Sequence, residues 1–356
     1  MRGIPLGIIF GLIGIGLVIL LAATSSAYTP AFRNADGEII TTSIAEERRM
    51  VLGGAEQYVL IRGRNRNAPL LVFLHGGPGY SAMPFNRLRN AALEEEFVFV
   101  NWDQRGAGKS FSAAKDPSTL TLDQLTQDLD DLVDALREEF GQKKVLMVGH
   151  SWGSLLGLHY VSRHPEKIAG YIGVSQFSNA LASERESYEW ALAEAQKKSD
   201  TKTIADLEKI GPPPYDAVDE MWTQRRALNK MGGVWLEPRP DSYYARQYLR
   251  CAEFAWPGLI NLVRGGHLSM EQLFSTAFTA NAFIDYPQLS APVFFFEGRH
   301  DHVTSPRLAE IYLNALEAPQ KELIWFERSG HMPNWEEPEK FHGEVRRVAA
   351  ALDLLQ

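Results

Sequence analysis

Ser151 stands in Gly149-His150-Ser151-Trp152-Gly153, a G-x-S-x-G pentapeptide. The apolar run KVLMVG (144–149) precedes it, and a helical pattern over 154–164 follows. A serine on the tight turn from strand to helix presents its hydroxyl at the end of a sheet, and the glycines let the backbone close up around it. A free serine hydroxyl is a weak nucleophile, so it needs an adjacent base, and the base needs a group that orients it. After an elbow of this kind the acid comes next along the chain, and then the histidine. Asp301, in GRHDHVTS, follows the apolar run 292–298, and His331, in ERSGHMPNWEEP, follows the run 322–327. If the strands are parallel, both loops open at the same end of the sheet as Ser151. Asp301 would then hold the imidazole in the right tautomer and stabilise its charged form. The chemistry expected is acyl transfer through Ser151, with water releasing the acyl group and with neither metal nor cofactor required.

Such a reaction also needs preorganised N–H donors for the developing oxyanion. The residue after the nucleophile, Trp152, supplies one. The second is expected from His75-Gly76-Gly77-Pro78-Gly79, which follows the run 69–74. Glycine lets that backbone approach closely, and Gly77 is the candidate, with Gly76 as the alternative. Other residues compete for roles. His300 and His302 flank Asp301, but neighbours on one loop rarely converge on one metal ion. Glu297 is a second carboxylate, placed inside the strand end. His150 is read as a packing or hydrogen-bonding residue, and His159, His164, His267 and His342 as structural. Asp103-Gln104-Arg105-Gly106-Ala107-Gly108-Lys109-Ser110 lacks the upstream glycine of a phosphate loop. It is expected to be a structural loop in which Asp103 and Arg105 bond locally.

The elements that must carry these loops are legible as short continuous apolar runs. PLLVFL (69–74), FVFVNW (97–102), KVLMVG, IAGYIGVS (168–175), PVFFFEG (292–298) and ELIWFE (322–327) suit strands buried on both faces. Residues 41–62, with Gly53-Gly54 at their middle, suit an edge hairpin. Leu122, Leu125, Leu129, Leu132, Val133 and Leu136 recur at helical spacing behind Thr121, a candidate N-cap. A last helix is expected over 338–355. Strands alternating with helices predict an α/β fold with a mainly parallel sheet covered on both faces. The alternation stops between the strands at 168–175 and 292–298. Residues 176–285 read as a helical cap inserted into a core made of 28–175 and 286–356, of which 28–40 is a linker.

The chain has 356 residues, 45% hydrophobic and 22% charged, which is ordinary globular usage. The net charge of −8 gives no basic footprint for nucleic acid. Cys251 is the single cysteine, so no intramolecular disulfide is possible. From Ile4 to Ala23 the chain carries no charge. Twenty apolar residues suffice for a helix to cross a bilayer core of ~30 Å. Residues 1–27 are therefore expected to be a membrane anchor or, with Ser25, Ser26 and Ala27 as a cleavage site, a signal peptide. Both place the remainder outside the cytoplasm: tethered to the membrane in the first case, secreted or periplasmic in the second.

HGGPG (75–79), DQRGAGKS (103–110), GHSWGS (149–154) and SGH (329–331), in this order and spacing, resemble the proline iminopeptidase (prolyl aminopeptidase) family of serine peptidases. The likeness covers 41–175 and 286–356. It implies an α/β-hydrolase fold with a helical cap, and an exopeptidase that releases an N-terminal residue, often proline. By the same likeness Ser151, Asp301 and His331 match the family triad, and Gly77 and Trp152 its oxyanion donors. The chain departs from the pattern at His150, where members commonly have glycine. The family's cap also supplies glutamates for the substrate's amino group, and Glu253 (in RCAEFAW) and Glu189 (in SYEWAL) are the candidates here. Cap aromatics Tyr188, Trp190, Tyr215, Trp222 and Trp235 would line an apolar pocket or fill the cap core. The expected activity is an aminopeptidase acting on small peptides with proline or another apolar residue first. The alternative is a carboxylesterase or amidase using the same triad on small substrates. A non-catalytic binding protein on the same scaffold would not need all three triad residues in order.

Overall fold

The computed structural model describes residues 27–254 and 256–355. The apolar segment at 4–23, and with it the expected anchor or signal, lies outside the described residues. Among those that are described, no helix is long and apolar enough to cross a membrane.

Each continuous apolar run forms a strand. These are β3 (Leu70–Leu74), β4 (Val98–Asp103), β5 (Val145–His150), β6 (Ile168–Val174), β7 (Val293–Gly298) and β8 (Lys321–Phe326). Residues 41–62 give the hairpin β1 (Ile44–Leu52) and β2 (Ala55–Gly63), turning at Gly53 and Gly54. Both glycines have positive φ, 53° and 75°, as a two-residue hairpin turn requires. Among the described residues the sheet has eight strands in the order β1-β2-β4-β3-β5-β6-β7-β8. β1 and β2 pair antiparallel, as do β2 and β4, and every other neighbour is parallel. Charge gathers at the two edges, in IAEERRMVL of β1 and KELIWF of β8, which discourages further strand addition there.

Alternate residues of the central strands serve two cores. Val72, Leu74, Val100 and Met147 face one cluster. It is closed by α2 (Leu122–Phe140), α3 (Trp152–Arg163) and α10 (Pro306–Ala315), through residues such as Leu129, Leu155 and Tyr312. Leu71, Phe73, Val148 and Phe294 face the other cluster, closed by α11 (Pro333–Glu336) and α12 (Pro338–Ala351) through Trp335, Phe341 and Val345. α1 (Met83–Arg89) joins the second side through Phe85. Truncating one such leucine, Leu129→Ala, costs about 2–5 kcal/mol. The helix ends follow their caps. The Thr121 hydroxyl accepts from Gln124 N at 3.1 Å, and Gly141 closes α2 in the left-handed region. The final helix starts at Pro338 as expected but stops at Ala351, short of the predicted 355.

Between β6 and β7 the chain is helical. It runs through α4 (Ala180–Lys197), α5 (Thr201–Ile210), α6 (Val218–Met231), α7 (Asp241–Arg250), α8 (Trp256–Thr279) and α9 (Ala282–Asp285). The insertion leaves and rejoins the core at one place. Ala180 N donates to Ala280 O at 3.0 Å, and Ala282 N to Ser178 O at 2.6 Å. Inside it, Tyr188, Ala191, Leu207 and Leu228 form a small core of their own. α8 lies directly on the sheet-end loops. A Cβ on its Gly265 would run into the backbone oxygen of Gly106, and one on Gly266 would strike the Tyr80 ring at 2.6 Å. Side chains at these two positions would lift the helix off both loops.

Candidate active site

The nucleophile candidate sits where β5 hands over to α3. Ser151 has φ 55° and ψ −121°, a conformation that costs a non-glycine residue about 1–3 kcal/mol and persists only where the surroundings enforce it. The enforcement is visible. Ser151 N donates to Val174 O at 3.0 Å, and Ser154 Oγ caps Ser151 O at 2.6 Å. A Cβ on Gly149 would overlap Gly153 O, and one on Gly153 would overlap Leu74 O. That close approach is why the pentapeptide needs glycine at its ends.

His331 Nε2 lies 2.8 Å from Ser151 Oγ, and His331 Nδ1 lies 2.8 Å from Asp301 Oδ2. Serine, imidazole and carboxylate thus form one hydrogen-bonded line, drawn from the loops after β5, β7 and β8. Asp301 is buried, and its loop curls around it. Val303 N and Thr304 N donate to Oδ1 at 2.7 and 3.0 Å, and Thr304 Oγ1 donates to Oδ2 at 2.8 Å. Burial alone would raise the carboxyl, but His331 and these donors outweigh it and hold Asp301 below the usual carboxylate range. The arrangement keeps the acid ionised and the imidazole oriented, which is what a base acting on Ser151 requires.

The rival groups are placed elsewhere. Glu297 is fully buried, and one of its oxygens accepts from Gln176 N at 2.9 Å. Burial drives its carboxyl well above the ordinary value. His302 stacks on Trp190 with centroids 3.9 Å apart. His159 bonds Tyr286 Oη at 2.8 Å, and His342 bonds Asn90 Oδ1 at 3.1 Å.

The glycine loop after β3 crosses the nucleophile. A Cβ on Gly76 would stand 3.1 Å from Ser151 Cβ. Gly77 has φ 121°, and a Cβ there would meet Gly79 N at 2.7 Å and Tyr80 N at 2.9 Å, so only glycine keeps this path. Gln104, passed over in the sequence, braces the loop. Its N–H donates to His75 Nε2 at 3.1 Å, its Nε2 to His75 O at 2.9 Å, and its Oε1 accepts from Trp152 Nε1 at 3.2 Å. One side chain thereby joins the loops carrying Gly77 and Trp152. His75, locked from both sides, is pushed down to about 4 by burial and stays neutral. Its neighbours Asp103 and Arg105 divide. Asp103 bonds locally, accepting from Lys109 N at 2.8 Å. Arg105, expected to bond locally, reaches Ala113 O at 3.3 Å but makes shorter bonds to Asp128 on α2, two of 2.8 Å, and also caps Gly53 O.

The cap grips the loops of His331 and Asp301 through its backbone. His331 N donates to Val234 O at 2.7 Å, and His302 N to Gly233 O at 3.0 Å. Glu336 adds a bridge, accepting from Leu236 N and Gly330 N at 2.8 Å each. Of the cap acids singled out in the sequence, Glu189 is exposed on α4. Glu253 is buried and already occupied. Arg87 donates to it at 2.7 Å, Thr29 at 3.0 Å and Cys251 Sγ at 3.2 Å. Burial opposes its charge, yet Arg87 keeps its carboxyl below the usual value. A third cap acid, Glu184, was not singled out. It is buried and paired with Arg225, one bond being 3.0 Å. It follows Ser183, whose hydroxyl accepts from Ser305 N at 3.2 Å on the Asp301 loop. Burial alone would lower Arg225, but Glu184, and beyond it the charge of Asp301, hold it above its ordinary value. Near these lies the buried Tyr215, whose hydroxyl has no hydrogen-bond partner among the described residues. The cap aromatics split in role. Trp235 packs against Phe85 and Trp335, whereas Trp222 meets the edge of Tyr80 on the glycine loop, centroids 6.1 Å apart.

Residues 69–338 match the family model described as the alpha/beta hydrolase fold. The chain belongs to that family. Within the α/β-hydrolase fold its likeness runs to aminopeptidases. It is 31% identical over 310 residues to a probable aminopeptidase of Bacillus subtilis (strain 168), covering 86% of this chain and 97% of that one. It is 28% identical over 292 residues to a proline iminopeptidase of Saccharolobus solfataricus, covering 79% and 84%. Among solved structures, a proline iminopeptidase-related protein from Thermus thermophilus superposes with a TM-score of 0.63 at 23% identity, covering 87% of this chain and 98% of that one. This last likeness concerns the fold.

Proposed function

We propose that this α/β-hydrolase is a serine aminopeptidase that releases proline or another apolar residue from the N-terminus of small peptides. The observation that carries the reading is the unbroken line Ser151–His331–Asp301, at 2.8 Å in both steps. In the proposed reaction Ser151 Oγ attacks the scissile carbonyl carbon while His331 Nε2 takes the hydroxyl proton. The N–H groups of Gly77 and Trp152 receive the oxyanion. His331 returns the proton to the leaving amine as the C–N bond breaks. Water then attacks the acyl-enzyme with His331 again as base, which frees the amino acid and restores Ser151.

Substrate choice falls to the cap. A free α-ammonium in a closed pocket needs a carboxylate partner. Glu189 is exposed, and Glu253 and Glu184 are each paired with an arginine; of the two paired acids we favour Glu184, because its neighbour Ser183 is bonded to Ser305 N on the Asp301 loop. Tyr215, Met221 and Met270 with Trp222 and Phe274 form an apolar cluster suited to the first side chain. The apolar segment at 4–23 would place this chemistry outside the cytoplasm, tethered or released.

The test is a substrate panel: proline-, alanine- and leucine-p-nitroanilides with free or acetylated amines, beside p-nitrophenyl acetate and butyrate. Turnover of the free-amine anilides, lost in Ser151→Ala, is expected. Cleavage of the esters alone would replace the peptidase reading with an esterase.

A further inference from the structure

His150 is buried, yet the reaction above makes no use of it. Its Nε2 lies 2.9 Å from the main-chain oxygen of His331. A carbonyl only accepts, so Nε2 carries the proton and Nδ1 does not. Nδ1 is buried without a partner among the described residues. It faces the glycine loop, since a Cβ on Gly76 would stand 3.2 Å from it. The ring therefore fills the space between two parts of the active site. The His331 ring lies 5.2 Å away and that of Trp335 5.3 Å, centroid to centroid.

The same carbonyl has a second donor. Ser175 Oγ reaches His331 O at 3.1 Å. Ser175 sits at the end of β6 with φ 50°, in the left-handed region that a serine rarely adopts. It is fully buried and its amide is pinned to Phe296 O at 3.0 Å. A strained residue and a buried histidine thus converge on one oxygen, and that oxygen belongs to the base. With Val234 O holding His331 N, the main chain of His331 is fastened on both sides before its ring meets Ser151 or Asp301.

We propose that His150 is a positioning residue for His331. Its Nε2–H, together with the Ser175 hydroxyl, fixes the main chain of the base so that the imidazole stays aligned between Asp301 and Ser151. The proposal rests on the serine-hydrolase reading. It also gives a physical meaning to the position before the nucleophile, because a glycine there would have no side-chain donor. The ring itself stays neutral through the working range. Burial, and next the nearby His331, push it down to about 3, so it does not compete as a base.

The experiment is the second-order rate of labelling by a fluorophosphonate, which reports activation of the serine whatever the natural substrate. His150→Phe keeps a ring against Trp335 and removes the donor, and His150→Gln keeps an N–H that reaches the same carbonyl. Misalignment of the base is expected to slow labelling of His150→Phe by ~10–100-fold, with His150→Gln within about threefold of wild type. On a turned-over substrate His150→Phe should lower kcat and leave KM unchanged. Equal rates for wild type and His150→Phe, or equal losses in both His150 variants, would overturn the proposal. Should His150→Phe not fold, Ser175→Ala tests the same tether, with slower labelling supporting it and an unchanged rate refuting it. A wild type that is not labelled, or Ser151→Ala labelled as fast as wild type, would sink the serine-hydrolase reading itself, a result separable from any effect at His150.

Discussion

The amide of His331 donates to the carbonyl of Val234 at 2.7 Å, across the boundary between the sheet-end loop that carries the base and the inserted helices. The insertion is therefore more than a cover. Its segment between α6 and α7 also takes the amide of His302, next to Asp301, through Gly233 O. Two of the three triad loops are fastened to the cap, and movement of that segment would be felt directly at the imidazole.

Glu336 offers a way to loosen this joint without touching the triad. Its two carboxylate oxygens accept from Leu236 N on the cap side and Gly330 N on the histidine side. Glu336→Gln leaves one of the two amides facing an NH2 group in place of an oxygen. An unsatisfied, part-buried donor costs about 1–3 kcal/mol, so Tm should fall by several degrees. The activity of the variant should fall as well, because the lost bond holds the loop of the base. Wild-type kcat in a destabilised Glu336→Gln protein would show that the joint serves stability alone.

Asp301→Asn tests the orientation of the imidazole. Asparagine keeps the volume, but with its oxygen accepting from Val303 N and Thr304 N it turns an N–H toward His331 Nδ1, and with its oxygen toward Nδ1 it turns the NH2 against those two amides. Loss of the correct tautomer and of the balancing charge should reduce kcat by roughly 10⁴-fold. Steady-state turnover, with near-ultraviolet circular dichroism to confirm packing, decides the matter. A loss below tenfold would mean that another group orients the base.

Gly77→Ala tests the oxyanion loop. At φ 121°, with Gly79 N and Tyr80 N inside 3.0 Å of the new Cβ, the loop must rebuild and its N–H leaves the place it now occupies. Removal of one preorganised oxyanion donor costs ~10²–10³ in kcat. That loss is expected in kcat rather than KM. Unchanged kcat would pass the role to Gly76.

Which cap acid meets the substrate can be read from selectivity. Glu253→Gln breaks a buried network already satisfied by Arg87 and should lower stability by about 3–5 kcal/mol. It should leave the preference for free-amine over acetylated anilides unchanged. Glu184→Gln should reduce kcat/KM for the free-amine substrates by ~10–100-fold, the scale of a lost charge-assisted bond, and should hardly change it for esters. The reverse pattern would return Glu253 to the site.

The contrast between these two acids shows where a sequence stops being legible. The β3, β5 and β7 runs can be read because burial on both faces leaves continuous apolar stretches, LLVFL, VLMV and VFFF. The meeting of Ser151, His331 and Asp301 can be read because an elbow and a fixed chain order tie place in the sequence to place at the sheet end. Gln104 could not be read, since its three bonds reach residues 29 and 48 positions away and no periodicity records them. Val234 acts through a carbonyl that every residue possesses. Glu253 and Glu184 are both acids in helical surroundings, and only the fold shows that Arg87 reaches one and Arg225 the other. Arg105 misled for the same reason: its partner Asp128 lies on a helix that the loop meets only after folding.

The neutral histidine at position 150 should also be visible in the pH dependence of stability. The ring is held down to about 3 in the folded protein, against roughly 6.5 in an unfolded chain. As pH falls below ~6.5 the unfolded state takes up a proton that the native state refuses, so native stability drops by about 1.4 kcal/mol per pH unit down to about pH 3. Asp301 shifts in the same direction, a depressed carboxylate whose contribution is present above ~4 and is lost as pH falls below it. It is common to wild type and His150→Phe and cancels in their difference, as do the other shared groups. Urea unfolding of the two proteins between pH 7 and pH 4 should therefore give curves that converge. The wild type should lose ~3 kcal/mol more than His150→Phe over that span. Parallel curves would mean that native His150 accepts a proton in this range, and its Nδ1 would then be open to water rather than sealed against the glycine loop.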